Sequence, residues 1–185
     1  MNKHYPALAR AKYAELRMNL RRRYLKFMGL QIKPGGALGK ILCEWPNRIF
    51  IGSGCTIEDN VVFKITNPFK EENYIKVGDR VFIGHSCQFN CNTRIVIGDD
   101  CLIASNTTFV DTGHEITRDI KINEQPLTVG EIIIEDDVWI GTQCKVLKGV
   151  TIGKGCVIGA GSLVNKSIPA YQIWAGTPAK FIRNR

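Results

Sequence analysis

The sequence lacks three features that would point to common classes of protein. No uninterrupted apolar run is long enough to cross a membrane, which excludes a candidate transmembrane helix. The N-terminus is basic but has no apolar segment followed by a small-residue cleavage site, so we expect a cytoplasmic protein. Histidine occurs only three times, at positions 4, 85 and 114, which leaves few ligands for a histidine-based metal centre.

The rest of the composition fits one domain with a hydrophobic core and a small appendage, since 44% of the 185 residues are hydrophobic and 23% are charged. The net charge of +8 would suit nucleic acid if the cations lined one binding face. However, residues 1–30 hold eight Lys or Arg against the single acid Glu15. The remaining residues are nearly neutral, which argues against a nucleic-acid partner for the main body.

Aliphatic or aromatic residues recur at every sixth position over most of the chain. Neither a helix, with a period of about 3.6, nor a strand, with a period of about 2, produces that spacing. A six-residue repeat rich in Val, Ile and Gly is typical of a β-helix, in which each repeat forms a short strand and a turn. The repeated positions are Ile51, Ile57 and Phe63; Val77, Ile83 and Phe89; Ile97, Ile103 and Phe109; and Ile134, Ile140, Val146, Ile152, Ile158 and Val164.

The repeat is interrupted three times. The first interruption, Thr66–Tyr74, has the Pro, Asn and charged residues of a surface loop. The second is a slip of two residues at Ile95–Val96, and the third runs from Asp111 to about Glu131. This third segment is polar and too long for a turn between packed strands. Long excursions from a compact repeat commonly carry function, so we expect functional residues in it.

Seven cysteines could indicate zinc or disulfides, and Cys87 and Cys91 have a spacing that some zinc sites use. Five of the seven fall four residues after a repeated position, where other repeats place Val, Thr or Ser. We therefore interpret these five as buried, reduced residues that act as small hydrophobes and bind no metal. They are Cys55, Cys87, Cys101, Cys144 and Cys156, whereas Cys43 and Cys91 do not fit the pattern.

The N-terminal segment, about Pro6 to Met28, has a helical period instead. Its large apolar residues recur at intervals of three and four and predict one apolar stripe: Tyr13, Leu16, Leu20, Tyr24 and Phe27. We expect this helix to cover the open end of the coil, because a solenoid needs a cap on its terminal layer. The alternative is binding to an anionic membrane surface or a lipid-linked acceptor, and the two roles are compatible.

The segment Ile132–Arg183, which includes "AGTPAK", and the preceding "IGDDCLIASNTTFVDTGHE" resemble the hexapeptide-repeat acyltransferases. Within that family the chain is most similar to sugar O-acetyltransferases of the galactoside and maltose type and of surface-polysaccharide synthesis. The resemblance covers about Val77 to Arg183. It implies a left-handed parallel β-helix, an acetyl-CoA donor, a homotrimer, and active sites between neighbouring subunits. Since left-handed crossovers are exceptional, the periodicity alone does not predict the hand.

Members of this family interrupt the coil with a loop that carries the catalytic base, and the matching residue is His114 in "DTGHE". A sugar hydroxyl is a poor nucleophile until a base removes its proton as it attacks the thioester. Histidine suits that task because its unperturbed pKa lies near neutral pH. Counting back three repeats and the slip from His114 predicts that Phe89–Arg94 stacks beside the root of the loop.

Four residues near His114 are candidates for contacts with the acceptor or the imidazole. Asn92 could hydrogen-bond a sugar hydroxyl, although galactoside-type relatives tend to have an acid near there. His85 is expected on the same approach, with a structural role as its alternative. Asp111 is a candidate for substrate binding, and Asp111 or Glu115 could orient the imidazole.

For the donor, the resemblance implies that pantetheine lies in a groove between adjacent coils. Gly141 and Ala160 would offer main-chain amides, with Gly141 N–H as the donor to the thioester oxyanion, and Trp139 would line the groove. Trp174 replaces a smaller residue and is expected to alter adenine packing. The residues that fall where relatives hold the phosphates and adenine are Thr142, Asn165, Lys166, Lys180 and Arg183.

Together these features predict an all-β solenoid with a basic helical segment at 1–30 and a β-helix domain at 31–185. The domain carries a loop at about 111–131 and a C-terminal tail at 167–185. The predicted activity is acetyl transfer from acetyl-CoA to a sugar hydroxyl, without a metal. Alternatives are N-acetylation of an amino sugar or nucleotide sugar, acetylation of a drug hydroxyl, and a scaffold without activity. A zinc enzyme resembling the gamma-class carbonic anhydrases is disfavoured, since it needs three histidines around the coil.

Overall fold

Each hexad of the sequence forms a short strand followed by a turn, and three successive hexads complete one coil. The structure is a computed structural model that describes residues 5–185, so Lys3 and His4 of the basic segment lie outside the described residues. Stacked coils place the strands in three parallel sheets that form the sides of a prism. The expected β-helix is confirmed.

Sheet 1 contains β1 (Gln31–Ile32), β4 (Ile49–Ile51), β7 (Tyr74–Val77), β10 (Arg94–Ile97), β15 (Ile132–Ile134) and β18 (Thr151–Ile152). Sheet 2 contains β2 (Ala37–Leu38), β5 (Thr56–Ile57), β8 (Phe82–Ile83), β11 (Leu102–Ile103), β16 (Trp139–Ile140), β19 (Val157–Ile158), β21 (Gln172–Ala175) and β22 (Lys180–Asn184). Sheet 3 contains β3 (Leu42–Cys43), β6 (Val62–Ile65), β9 (Gln88–Cys91), β12 (Thr108–Val110), β17 (Lys145–Leu147) and β20 (Leu163–Val164). A separate antiparallel hairpin joins β13 (Thr112–His114) to β14 (Leu127–Val129).

The remaining elements are the helix α1 (Tyr5–Phe27) and two short 3-10 helices, Pro46–Arg48 and Ile122–Glu124. No helix among residues 5–185 is long and apolar enough to span a membrane. The strands of the three sheets pair in parallel, except that β22 runs antiparallel to β21 at the C-terminal end.

The residues at the six-residue positions all point inward and are buried. They stack in register from coil to coil, as where Ile103 pairs with Ile83 on one side and with Ile140 on the other. The rings of Phe63, Phe89 and Phe109 stack at centroid distances of 5.1 and 4.7 Å. Burial of each such side chain stabilises the fold by about 1.5–3 kcal/mol, so the coil is held together by its interior columns.

The turns form three edges of the prism. The first edge joins sheet 1 to sheet 2 at Ser53, Asp79, Asp99, Asp136 and Lys154. The second edge joins sheet 2 to sheet 3 at Lys40, Asp59, His85, Ser105, Thr142 and Ala160. The third edge joins sheet 3 back to sheet 1 and includes Thr66–Asn73, Asn92–Thr93, residues 111–131, and Asn165–Ser167. Many of the turns contain one residue with a left-handed backbone conformation, such as Asn106 (φ 62°) and Gly161 (φ 72°). This conformation favours Asn, Asp or Gly at that position.

All three interruptions of the repeat lie on the third edge. The slip that the sequence suggests at Ile95–Val96 is in fact absorbed at the corner around Asn92–Thr93, because Ile95 is fully buried and pairs with Ile75 and Ile132. The two extra residues make Cys91 an additional inward residue, paired with Ile65. The position of Cys91 thereby gains a physical explanation.

The five in-register cysteines are buried, as predicted, and all seven cysteines are free thiols. Each of the five donates a hydrogen bond from Sγ to a carbonyl oxygen of the next coil, at distances from 2.9 to 3.2 Å. Burial raises the pKa of the Cys87 and Cys101 thiols to about 11. These thiols therefore act as small core residues that also satisfy a carbonyl group.

The apolar stripe of α1 does not face the coil. Tyr13, Leu16, Leu20, Tyr24 and Phe27 are all exposed. The opposite face of α1 makes the contact instead, through the buried Leu25, the half-buried Met18, and Arg22, which donates to the Lys33 and Gly35 carbonyls.

Trp174 closes the C-terminal end of the coil. It is only 8% exposed, pairs with the inward-facing Ile158, and makes an edge-on contact with Phe181. Its indole N–H donates to Gln172 at 2.8 Å. The ring of Trp174 is thus part of the core, and its expected effect on adenine packing stays a prediction.

Candidate active site

His114 ends the first strand of a hairpin that projects from the third edge. β13 and β14 pair antiparallel, with His114 opposite Leu127. The side chain of His114 is exposed, and among residues 5–185 no protein group hydrogen-bonds its imidazole. Glu115 is also exposed without a side-chain partner in this part of the chain. The imidazole is thus free to meet a substrate.

Asp111 holds the root of this loop and is fully buried. Its carboxylate accepts hydrogen bonds from the main-chain N–H of Asn92 and Thr93 at 2.7–2.9 Å, and from the Thr93 and Thr112 hydroxyls at 3.1 and 2.9 Å. No oxygen remains for a substrate or an imidazole. The predicted substrate-binding and orienting roles of Asp111 are wrong, and its observed role is to fix the loop.

The other leg of the loop is tied to the same corner. The Arg94 guanidinium donates from Nε to the Glu131 carboxylate, and Gly130 N–H donates to the Asp111 carbonyl at 2.9 Å. The structure confirms that Phe89–Arg94 stacks beside the loop root. Asn92 lies there as a half-buried residue, so its side chain is near the loop that carries His114.

His85 does not share this approach within one chain. It lies on the second edge, where its main-chain N–H donates to Glu58 at 2.8 Å and its carbonyl accepts from Asn106. Its imidazole Nε2 is 3.3 Å from the Asn60 amide. The expectation that His85 stands beside His114 is therefore wrong for a single chain.

The predicted donor residues Gly141, Thr142 and Ala160 lie together on the second edge. A Cβ on Gly141 would come within 2.6 Å of Ala160 N, so the two turns touch and only glycine fits. However, Gly141 N–H already donates to the Ile158 carbonyl at 2.8 Å, so it cannot serve an oxyanion as predicted. Among residues 5–185 the N–H groups of Thr142 and Ala160 have no protein acceptor, which leaves them available to a ligand.

The sequence explains why these two N–H groups are free. In most other turns a carboxylate from an adjacent coil accepts the corresponding N–H, as Asp59 does for Lys40 at 2.6 Å. On the next coil, Ala160 lies opposite Thr142 and Gly176 lies opposite Ala160, and neither residue has a carboxylate. The Thr142 hydroxyl turns away to donate to the Ser105 carbonyl at 2.8 Å. The lower part of the second edge is therefore an open row of donors.

Trp139 lies on the outer face of sheet 2, between Leu102 and Val157, and borders a groove of about 360 Å³. Lys180 and Arg183 are exposed on β22 of the same sheet, opposite Ala175 and Ile173.

Asn165 and Lys166 are exposed on the third edge of the last complete coil, and Lys166 Nζ lies 5.1 Å from the centre of the Trp174 ring. The predicted phosphate ligands are thus spread over the C-terminal end of the coil rather than clustered. A hollow of about 860 Å³ lies elsewhere, between α1 and the outer face of sheet 1.

In residues 5–185 no three metal-ligating side chains converge. His85 and His114 lie on different edges, and His4 lies outside the described residues.

Two family models match the chain: the bacterial transferase hexapeptide (six repeats) over residues 131–166, and the hexapeptide repeat of succinyl-transferase over residues 74–109. The putative colanic acid biosynthesis acetyltransferase WcaF of Escherichia coli K12 is 32% identical over 151 residues, which are 79% of this chain and 78% of that protein. The galactoside O-acetyltransferase of the same organism is 39% identical over 120 residues, which are 60% of this chain and 57% of that protein.

Among solved structures, a hexapeptide-repeat acetyltransferase of Vibrio cholerae complexed with acetyl coenzyme A has a TM-score of 0.61 at 28% identity. The alignment covers 99% of this chain and 90% of that one. This similarity shows that the coil is a left-handed β-helix, as expected. The chain spans about half the length of several curated relatives that it matches. The length and identity of the match to WcaF, together with both family models, show that the chain belongs to the bacterial hexapeptide-repeat transferases.

Proposed function

We propose that this protein is an acetyl-CoA-dependent O-acetyltransferase that acetylates a hydroxyl of a sugar or of a polysaccharide or lipopolysaccharide precursor. The observation that carries the proposal is the free His114 imidazole on a loop whose root is fixed by the buried Asp111. The likeness to the galactoside O-acetyltransferase and to the putative colanic acid biosynthesis acetyltransferase supports it. Use of acetyl-CoA also fits the cytoplasmic location expected from the sequence.

In this mechanism His114 acts as the general base. Its neutral ring nitrogen accepts the proton of the acceptor hydroxyl while that oxygen attacks the thioester carbonyl. The tetrahedral intermediate then collapses, the carbon–sulfur bond breaks, and the coenzyme A sulfur takes the proton from the imidazolium. The developing oxyanion needs preorganised donors, and the free N–H groups of Thr142 or Ala160 can supply them, whereas Gly141 N–H cannot.

The donor would lie along the second edge and the C-terminal end of the coil. Its pantetheine amides can pair with the open N–H groups, and Trp139 offers an apolar wall beside them. The exposed cations Lys166, Lys180 and Arg183 would meet the phosphates, since charge-assisted hydrogen bonds are the stronger kind. Asn165 lies beside Lys166 and could hydrogen-bond the nucleotide.

The geometry favours a site shared by two copies. His114 projects from the third edge and the open amides lie on the second edge, with a strand of sheet 3 between them. Ser105 and Asp111 are six residues apart along that strand, which corresponds to roughly 15–20 Å. If the third edge of one copy faces the second edge of the next, and the ring closes after three copies, each His114 meets a neighbour's amides. His85 would then approach His114 across the interface.

The activity is tested by incubating the purified full chain with acetyl-CoA and candidate acceptors and by measuring the released thiol. We expect thiol release with a hydroxyl sugar or oligosaccharide. The product should carry an acetyl ester, which mild hydroxylamine cleaves. An amide product would resist the same treatment. Transfer confined to amino sugars would overturn O-acetylation, and transfer to no acceptor, with donor binding intact, would favour the scaffold alternative.

The shared site is tested by mixing two impaired variants at an acetyl-CoA concentration far below the Michaelis constant of the Ala160 variant, where each variant alone is nearly inactive. His114→Ala removes the base from one face, and Ala160→Asp blocks the amides on the other. When the two chains are co-expressed, some interfaces combine two unaltered faces and should recover activity. Each variant expressed alone is the matched control. Absence of recovery in isolated mixed oligomers would place the whole site in one chain.

A further inference from the structure

The outer face of α1, defined as Tyr13, Leu16, Leu20, Tyr24 and Phe27, is an apolar surface without a partner among residues 5–185. These five side chains are 56–87% exposed. Since an α-helix rises about 1.5 Å per residue, the stripe is about 21 Å long. Large exposed apolar patches of this kind commonly mark a surface that binds a partner or a membrane.

The attachment of α1 to the coil aims this face outward. Leu25 is buried against the first coil, and Met18 lines a hollow with Gly39 and Asp59 of the second edge. At 100° per residue, as a helix of about 3.6 residues per turn requires, Leu16, Leu20 and Phe27 lie opposite Met18 and Leu25. The coil therefore holds the helix by one side and presents the other side to solvent.

Cations border the outer face on both sides. Lys12 and Arg23 lie along one margin and Arg17 along the other, and all three side chains are exposed. Arg17 also lies 5.7 Å from the centre of the Tyr13 ring. Glu15 is the only acid in α1. The apolar residues on the other side of α1, Met18 and Leu25, pack toward the coil, so the face that α1 presents to solvent is an apolar stripe with aromatic residues and basic margins. Such faces occur on helices that lie in a membrane interface.

We propose that the outer face of α1 binds an anionic lipid surface, with the helix parallel to the membrane plane. The basic margins favour an anionic lipid surface, because the attraction between basic side chains and acidic lipids adds to the free energy gained by burying the apolar stripe. A second copy of the chain fits less well. Its row of acids on the first edge is engaged, since Asp79, Asp99 and Asp136 each accept a main-chain N–H.

The test uses the purified full chain with vesicles of phosphatidylcholine alone or with added phosphatidylserine, and it measures co-sedimentation. We expect binding to the phosphatidylserine vesicles that weakens as salt rises, because salt screens exposed charges. Leu16→Gln/Leu20→Gln/Phe27→Gln should lower the affinity by about tenfold or more, since it removes the apolar stripe. Glutamine keeps the helix propensity. Arg17→Gln/Arg23→Gln should weaken binding to the anionic vesicles and reduce its salt dependence.

Phe69→Gln is the matched control, because Phe69 is 81% exposed on a loop of the third edge and lies outside α1. Its vesicle binding should equal that of the unaltered chain. The proposal is overturned if the unaltered chain ignores phosphatidylserine vesicles, or binds both vesicles equally. It is also overturned if the triple variant keeps its vesicle binding while its oligomeric mass changes, since a second copy would then cover the face. Thermal unfolding and coenzyme A binding of each variant check that the coil is intact.

Discussion

The first and second edges of the coil are built from the same turn, yet they treat main-chain N–H groups differently. On the first edge the N–H groups of Ser53, Asp79 and Asp99 each donate to a carboxylate of the next coil, at 2.8–3.0 Å. On the second edge only Lys40 and His85 donate in this way, whereas the N–H groups of Asp59, Ser105, Thr142 and Ala160 have no acceptor among residues 5–185. A turn that satisfies its own donors is structural, whereas a turn that leaves them open can bind a ligand.

The third edge differs in another way. It carries inserted segments of chain, whereas the second edge carries turns with free main-chain N–H groups. The insertion at residues 111–131 leaves the coil only after Asp111 has been buried in the interior column that also contains Ile65 and Cys91. A fixed root with an exposed tip can carry a reacting group to a neighbouring surface. The proposed site thus combines an open second edge with an extended third edge.

The largest expected effect comes from removing the base at the tip of the third-edge loop. His114→Ala should lower turnover by ~10²–10⁴-fold, or about 3–5 kcal/mol of transition-state stabilisation, because a general base acts only as the proton moves. Coenzyme A affinity, measured by calorimetry, should be nearly unchanged. Glu115→Ala is the matched control, since Glu115 is the exposed neighbour without a partner in the described chain, and it should keep most of the activity. A His114 variant with more than about a tenth of the original turnover would contradict the assignment.

The next effect separates the root of the loop from its tip. Asp111→Ala leaves the N–H groups of Asn92 and Thr93 without an acceptor in a buried corner, which costs about 1–3 kcal/mol for each group left unpaired. We expect a lower melting temperature and faster proteolysis within residues 111–131. Turnover should fall as the loop loosens. A variant as stable as the unaltered protein would show that the hydrogen bonds of Asp111 are dispensable.

A third experiment converts the open edge into a closed one. In Ala160→Asp the new carboxylate takes the position that Asp59 has in the upper coils, where it accepts Lys40 N–H. It should accept Thr142 N–H and repel the anionic donor, so the Michaelis constant for acetyl-CoA should rise about tenfold or more. Asp59→Ala tests the reverse and should lower stability without changing donor affinity. Equal donor affinity in the Ala160 variant would exclude the open amides as the donor site.

The six-residue period of the sequence predicts much of the coil and the position of the loop. Ile97, Ile103 and Phe109 are inward because the period places them there, and loss of the period after Phe109 located the loop with His114. The same count could have placed Asp111, since it follows Phe109 by two residues as Cys91 follows Phe89. Its polar side chain suggested a substrate ligand instead. The physical reason for its burial is the row of N–H donors at the Asn92–Thr93 corner.

Other features could not be read from a period. His85 and Thr142 both come two residues after an inward isoleucine, which assigns them to one edge, but the edge that faces a partner depends on packing between copies. Gly141 looked like a free donor because it is a glycine at a close approach, yet its N–H belongs to the ladder with Ile158. The stripe of α1 was visible in the sequence, but the face that meets the coil depends on Leu25 and Arg22. Hydrogen-bond use and docking direction are properties of the assembled coil.

The smallest effect concerns the interior that all three edges share. Cys101 aligns with Val81 and Val138 of the adjacent coils, so Cys101→Val should fit and change the free energy of unfolding by less than about 1.5 kcal/mol. Burial raises the pKa of this thiol from 9.0 to about 11, so the folded state keeps its proton where the unfolded chain loses it. The contribution of the thiol to stability is therefore complete below pH 9 and is lost as the pH rises to about 11. Urea unfolding across that range should show a shallower alkaline decline for the valine variant. An unchanged decline, or a loss of several kcal/mol at neutral pH, would show that the thiol is not an ordinary small core residue.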